Sequence, residues 1–226
     1  MLHGESSGVC VMVRARAASL ALFFSIFSSL VFVQSPQAQE RLDALREYRL
    51  GNFREAAEIC RREIAADNAN MDAYAVLCWS LIRLSEYGSA ARYAEQARSV
   101  NRYDPRMAEV LGEARFYQGR NEEALRLFQE YVTLAPEGGR IDAVYYFVGE
   151  IYIRLGRFRH ADIALSTAVR YAPSNAQWWT RLGYTRERAG ENRYAAAAYE
   201  RALSLDPQSA DAAHGLERAR KALSPR

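Results

Sequence analysis

The feature that most constrains this 226-residue chain is a period. Small residues stand at Gly51, Ser85, Gly119, Gly156 and Gly190, spaced by 34, 34, 37 and 34 residues. Five residues after each comes an alanine: Ala56, Ala90, Ala124, Ala161 and Ala195. Four beyond those stand Cys60, Ala94, Phe128, Leu165 and Tyr199, and proline closes the later units at Pro136, Pro173 and Pro207. Self-similarity at such a spacing makes each unit one supersecondary element that cannot bury its apolar face alone, so neighbours must stack. A single three-residue insertion, around Glu137-Gly138-Gly139, interrupts the period.

Each unit reads as two amphipathic helices. In 142–175, Tyr145, Val148, Gly149 and Tyr152 recur at steps of three, one and three, Gly156 breaks the run, and Ala161, Leu165 and Ala168 carry a second helix to Pro173. Steps of three and four place residues on one face of a 3.6-residue helix. Glycine suits the break because a residue that ends a helix often turns left-handed, which costs it no Cβ clash. Small residues such as Gly149 and Ala161 are expected to let the two helix backbones approach closely.

On these residues the chain resembles the tetratricopeptide repeat (TPR) family, whose pattern is a bulky residue, Leu-Gly, an aromatic, Gly, Ala, an aromatic, Ala and Pro at set offsets. Unit 176–209 shows Trp179, Leu182-Gly183, Gly190, Ala195, Tyr199, Ala202 and Pro207, and unit 105–138 shows Leu111-Gly112, Gly119, Ala124, Phe128 and Pro136. Unit 71–104 keeps Tyr74, Leu77, Tyr87, Ala90 and Ala97, with Cys78 and Arg102 where glycine and proline would stand. Unit 37–70 diverges most, keeping Gly51, Phe53 and Ala56. The resemblance implies an all-α, right-handed α-solenoid of about five helix-turn-helix units (37–70, 71–104, 105–138, 142–175 and 176–209). Residues 210–226 follow as a C-terminal capping helix and tail. It also implies Trp179 in the core, with Trp178 turned toward the preceding hairpin.

What the family does with this fold is hold a protein or peptide partner in a concave groove lined by the first helices. By that resemblance the groove offsets collect Tyr48, Trp79, Arg83, Glu109, Glu113, Phe116, Tyr117, Tyr146, Glu150, Arg154, Tyr184 and Arg188. Aromatic residues and arginine dominate protein interfaces, which suits an extended or helical segment with apolar anchors. The alternative, that several of these rings pack inside the solenoid, stays open at this point. Some family members grip a chaperone's C-terminal carboxylate with a Lys/Asn/Arg clamp; here the corresponding offsets hold Arg41, Leu45, Val76, Arg106 and Val110, so two asparagine positions are apolar.

Composition narrows the function classes. With 30 basic and 27 acidic residues the net charge is +3, too balanced for a nucleic-acid binder. Lys221 is the only lysine, which reads as codon bias before function. Three cysteines (Cys10, Cys60, Cys78) and three histidines (His3, His160, His214) supply no CxxC pair, no metal set and no nucleophile–base pair. No enzyme activity, cofactor or metal is expected. Cys60 and Cys78, on adjacent helices, read as two buried thiols, with a disulfide as the competing possibility.

The first 38 residues read as an export signal. Arg14 and Arg16 precede an uncharged run from Ala17 to Val33, followed by polar QSPQAQE, with cleavage expected after Ala38. The 17-residue run is also at the short edge of a membrane-spanning signal anchor. Met12 makes a more compact start than Met1. Either reading puts the repeats outside the cytoplasm, in the periplasm or tethered to the inner membrane. The expectation is therefore a non-enzymatic protein–protein interaction scaffold in the bacterial cell envelope. The alternative is an envelope accessory protein that binds a small hydrophobic ligand or assists transport.

Overall fold

The structure is a computed structural model, described here for residues 44–224. The leader, its cleavage site and Arg41 lie outside the described residues. Eleven helices follow in order: α1 (44–50), α2 (Phe53–Ala66), α3 (Met71–Arg83), α4 (Tyr87–Val100), α5 (Pro105–Tyr117) and α6 (Asn121–Leu134), then α7 (Ile141–Arg154), α8 (Phe158–Tyr171), α9 (Ala176–Arg188), α10 (Asn192–Leu205) and α11 (Ala210–Leu223). Among the described residues there is no strand. From α2 onward each helix packs on the next in the chain, and first helices also meet across units, α3 on α5, α5 on α7 and α9 on α11. This is the expected all-α solenoid: paired helices stacked unit on unit, with α11 covering the last hairpin.

The repeated small residue makes the turn inside each hairpin. Gly51, Gly119, Gly156 and Gly190 have φ of 86°, 76°, 68° and 82°. In each case the next residue's N–H reaches back to the carbonyl five residues earlier, as from Arg120 to Arg115 (2.9 Å) and from Glu191 to Arg186 (2.8 Å). That bond pair closes the carbonyl end of the first helix and reverses the chain. Ser85 makes the same turn with φ 61°, the one non-glycine there, and its Glu86 N–H bonds to Leu81 at 2.8 Å. At the other end, Asn70, Asp104, Asn175 and Ser209 cap α3, α5, α9 and α11 with their side chains.

Close approach of the two helices depends on a second small residue. A Cβ at Gly112 would lie 2.7 Å from the Phe128 ring, at Gly149 2.6 Å from Leu165 Cγ, and at Gly183 2.7 Å from the Tyr199 ring. Each pair is sixteen residues apart. Gly149 is thus matched by bulky Leu165 rather than by Ala161: the first helix supplies a hole and the second fills it. Tyr199 meets two glycines, because Gly215 of α11 also lies against its ring, and its hydroxyl donates to Glu187 at 2.8 Å. In the first two units the same offsets hold Ala44 with Cys60 and Cys78 with Ala94, all buried.

Cys60 and Cys78 are free and buried. The Cys78 thiol points at the Ala90 carbonyl oxygen (3.7 Å), and burial pushes the Cys60 thiol up to about 12. Trp179 packs against the core of the last hairpins, as expected, but stays half-buried, with its indole N–H donating to the Pro173 carbonyl at 3.0 Å.

Three substitutions test this account in urea unfolding. Gly183→Ala forces a methyl into a ring that is wedged by Gly215 and tethered to Glu187, and is expected to destabilise by about 1–3 kcal/mol. Gly88→Ala, where an added Cβ meets nothing within 4 Å, should be neutral or stabilising. Ser85→Gly should raise stability by about 1 kcal/mol, since it relieves left-handed strain and loses only an exposed 3.2 Å bond from Tyr87.

Candidate partner-binding face

The first helices and the turns that follow them bring the groove candidates onto one face, where rings and arginines alternate. Tyr48 and Trp79 face each other with centroids 6.0 Å apart. Further along, Tyr87 stacks on Tyr117 (4.5 Å, 16°), Tyr117 abuts Phe116 and Phe147, Phe147 abuts Tyr146 (5.9 Å), and Tyr146 stacks on Trp178 (5.0 Å, 12°). This row of six rings runs from α4 through α5 and α7 to α9. Aromatic pairs at these separations prefer offset or edge contacts and hold one another rigid. Trp178 does lie toward the preceding hairpin, through its stack on Tyr146 of α7.

Most of the candidate charges are already committed inside the protein. Arg154 lies over the Phe116 ring at 3.6 Å and donates to the Phe116 carbonyl at 2.9 Å. Arg188 lies over Phe158 at 4.8 Å and donates to the Tyr184 hydroxyl at 3.0 Å, and Arg83 lies over Phe53 at 4.7 Å. Glu150 accepts both prongs of Arg181 at 2.6 and 2.7 Å. Two expected groove contacts are corrected. Glu109 (1% exposed) and Phe116 (5%) are inside the stack, Glu109 drawn in by Arg140 and Phe116 covered by Arg154. Glu113 is buried too but lines a pocket of about 380 Å³, with Tyr48, Trp79, Ile82, Arg83 and Arg140. Tyr117 and the arginines Arg83, Arg154 and Arg188 are exposed, whereas Tyr48, Trp79, Tyr146, Glu150 and Tyr184 are half-buried.

A ladder of arginine forks joins consecutive first helices. Arg106 reaches Asp72 (2.8 Å), Arg140 reaches Glu109 (3.1 and 3.0 Å), Arg181 reaches Glu150, and Arg218 reaches Glu187 (2.7 and 2.9 Å). The last three pairs share a spacing of 31 residues, a period within the period. Exposed pairs of this kind are each worth up to about 1 kcal/mol, more where the carboxylate is dry. The Arg218 fork holds Glu187 below the usual carboxylate range. Arginine's planar fork makes these contacts and a lysine ammonium does not, so the chain's arginine bias has a structural use beyond codon usage.

The insertion supplies one rung. Residues 135–140 wrap over Tyr131, whose hydroxyl accepts the Arg140 N–H at 3.1 Å, and Arg140, at the start of α7, reaches back to α5. There it meets two carboxyls one turn apart. Glu109 takes the Nε and Nη2 bonds and an indole hydrogen bond from Trp79, while Glu113 is left a 3.4 Å contact. Burial, with the neighbouring Glu109 adding to it, pushes the Glu113 carboxyl up to about 7.

A tetratricopeptide repeat model matches residues 76–138 and 149–210, more than half of the chain. The chain belongs to the TPR family. A wheat (Triticum aestivum) relative, an Hsp70-Hsp90 organizing protein, is 33% identical over 115 residues, which are 51% of this chain and 19% of that protein. The chain therefore spans about a fifth of that relative's length. Solved TPR structures share the fold. Pseudomonas aeruginosa PilF is similar with TM-score 0.71 and 19% identity, covering 83% of this chain and 84% of its own. Desulfovibrio magneticus MamA gives 0.65 and 17%, covering 77% and 97%.

The offsets that hold a carboxylate clamp in some TPR proteins are occupied differently here. Val76 and Val110 are buried (7% and 0% exposed), and Arg106 is shared between Asp104 and Asp72. These TPR helices thus spend their clamp offsets on packing and on the first rung of the ladder.

Glu113 gives the stack a pH dependence of definite sign. Its carboxyl is raised from an ordinary 4.5 to about 7, so its stabilising contribution is complete below about 4.5 and is lost as pH rises through about 7. The span is about 3 kcal/mol. Relative to the parent, Glu113→Gln should gain stability steadily from pH 5 to 8, measured as the difference in urea midpoints at each pH. A flat difference removes the account.

Proposed function

We propose that this protein is a non-enzymatic scaffold that holds a segment of a partner polypeptide along its first-helix face. We further propose that it works in the bacterial cell envelope, delivered there by its N-terminal signal. The observation that carries the reading is the row of six mutually braced rings, edged by arginines and open at Tyr117. Rigid aromatic area costs little conformational entropy to bind, which is why such residues concentrate at interfaces. The dryness of Phe116 and Glu109 shifts the contact surface to Tyr117, Tyr146, Trp178 and Tyr184. Membership of the TPR family and a chaperone-organising relative favour a protein partner over the small-ligand alternative. A non-enzymatic role is supported by membership of a family of interaction scaffolds.

Site-specific photocrosslinking in intact cells tests this. A benzophenone side chain at Tyr117 or Tyr184 should give a discrete protein adduct in the envelope fraction. The same probe at Ile163 of α8, exposed on a second helix, should not. Adducts that are equal at all three positions, or confined to the cytoplasm, overturn the proposal.

A further inference from the structure

The pocket at Glu113 interrupts the aromatic face and has a chemistry of its own. Its floor is a carboxyl whose side chain is 10% exposed and whose arginine contact stretches to 3.4 Å, because Arg140 spends two shorter bonds on Glu109. The other lining cation, Arg83 of α3, rests over the Phe53 ring of α2. Its walls are Tyr48 of α1 with Trp79 and Ile82 of α3, and the volume of about 380 Å³ admits one long side chain. One arginine therefore serves two dry carboxyls, and the one it holds more weakly faces the cavity. Keeping it there lowers stability at neutral pH, a cost that a ligand can offset.

We propose that this pocket seats a basic anchor of the bound polypeptide: the guanidinium or ammonium of an arginine or lysine side chain meets the Glu113 carboxylate while its methylene stem lies against Trp79 and Ile82. The inference rests on the first-helix face binding a polypeptide, and names the charge that this segment must carry. Cations are drawn to indole and phenol faces, so Trp79 and Tyr48 favour the same ligand as the carboxylate. A cation competes with the proton for Glu113. Binding therefore tightens as the carboxyl ionises, and it frees Arg140 to serve Glu109 alone. Arg83 at the rim opposes a second cation, which limits the pocket to one anchor.

The test uses the whole chain and small probes, n-butylguanidinium and n-butyrate, followed by the Trp79 indole N–H resonance, which Trp79→Phe assigns. Butylguanidinium should shift that resonance with about tenfold higher affinity at pH 8 than at pH 6, the competition expected of a group that titrates near 7. Glu113→Gln, which the pH argument predicts to fold well, should weaken it about tenfold at pH 8, and Arg83→Gln should strengthen it. Butyrate should leave the resonance unmoved. Binding of butyrate in place of butylguanidinium, weakened by Arg83→Gln, overturns the basic anchor, as does a guanidinium affinity that Glu113→Gln leaves unchanged. Crosslinks at Tyr117 without a guanidinium response remove the anchor and leave the polypeptide-binding reading standing. The reverse pattern keeps the pocket and removes that reading.

Discussion

In each of the last three hairpins a residue without a side chain on the first helix meets a bulky one sixteen positions later, and much else in the structure follows from that contact. Phe128, Leu165 and Tyr199 can be fully buried only because Gly112, Gly149 and Gly183 leave room for them. The hole draws two helices close, the left-handed turn at Gly119, Gly156 or Gly190 lets the chain double back in three residues, and the remaining apolar faces are offered to the next unit. Tyr199 shows the continuity of the scheme, since the glycine of its own hairpin and one from α11 both lie against its ring. Interiors packed this tightly do not absorb a methyl group cheaply.

Above that packing lies a second, electrostatic order. Arginine forks tie each first helix from α3 to α11 to the next, along the face that is proposed to receive a partner. Many side chains that would look free in an isolated helix are taken: Glu109, Glu150 and Arg106 by ion pairs, Arg154 by a ring and a backbone carbonyl, and Arg188 by rings and a hydroxyl. What is left open to a ligand is smaller and more specific than the list of groove offsets, chiefly exposed Tyr117, its half-buried neighbours and the Glu113 pocket.

The sequence carries most of the fold on its surface. Turn glycines, alanines and closing prolines recur at fixed steps because each performs the same steric task in every hairpin, and a steric task fixes residue type. The face is less legible. Burial of Phe116 depends on Arg154 from the next unit folding over it, and burial of Glu109 depends on an arginine 31 residues away. Both are contacts between units, which an offset within one unit does not encode. The 31-residue spacing of Glu109 with Arg140, Glu150 with Arg181 and Glu187 with Arg218 was present to be read, but it becomes meaningful only once first helices are known to be neighbours. Trp179 is legible in part: its ring packs against the core as its family offset implies, while the indole N–H caps a loop carbonyl, which the offset does not encode.

The three extra residues before α7 have a further significance. A regular array offers a long ligand the same footing at every step, so a bound chain could slide by one unit and find equivalent contacts. A phase slip ends that degeneracy. By delivering Arg140 to a pair of acids that no other unit repeats, the slip marks one place on the face as unlike all others. A surface with a single origin can fix where a bound segment begins and which way it runs.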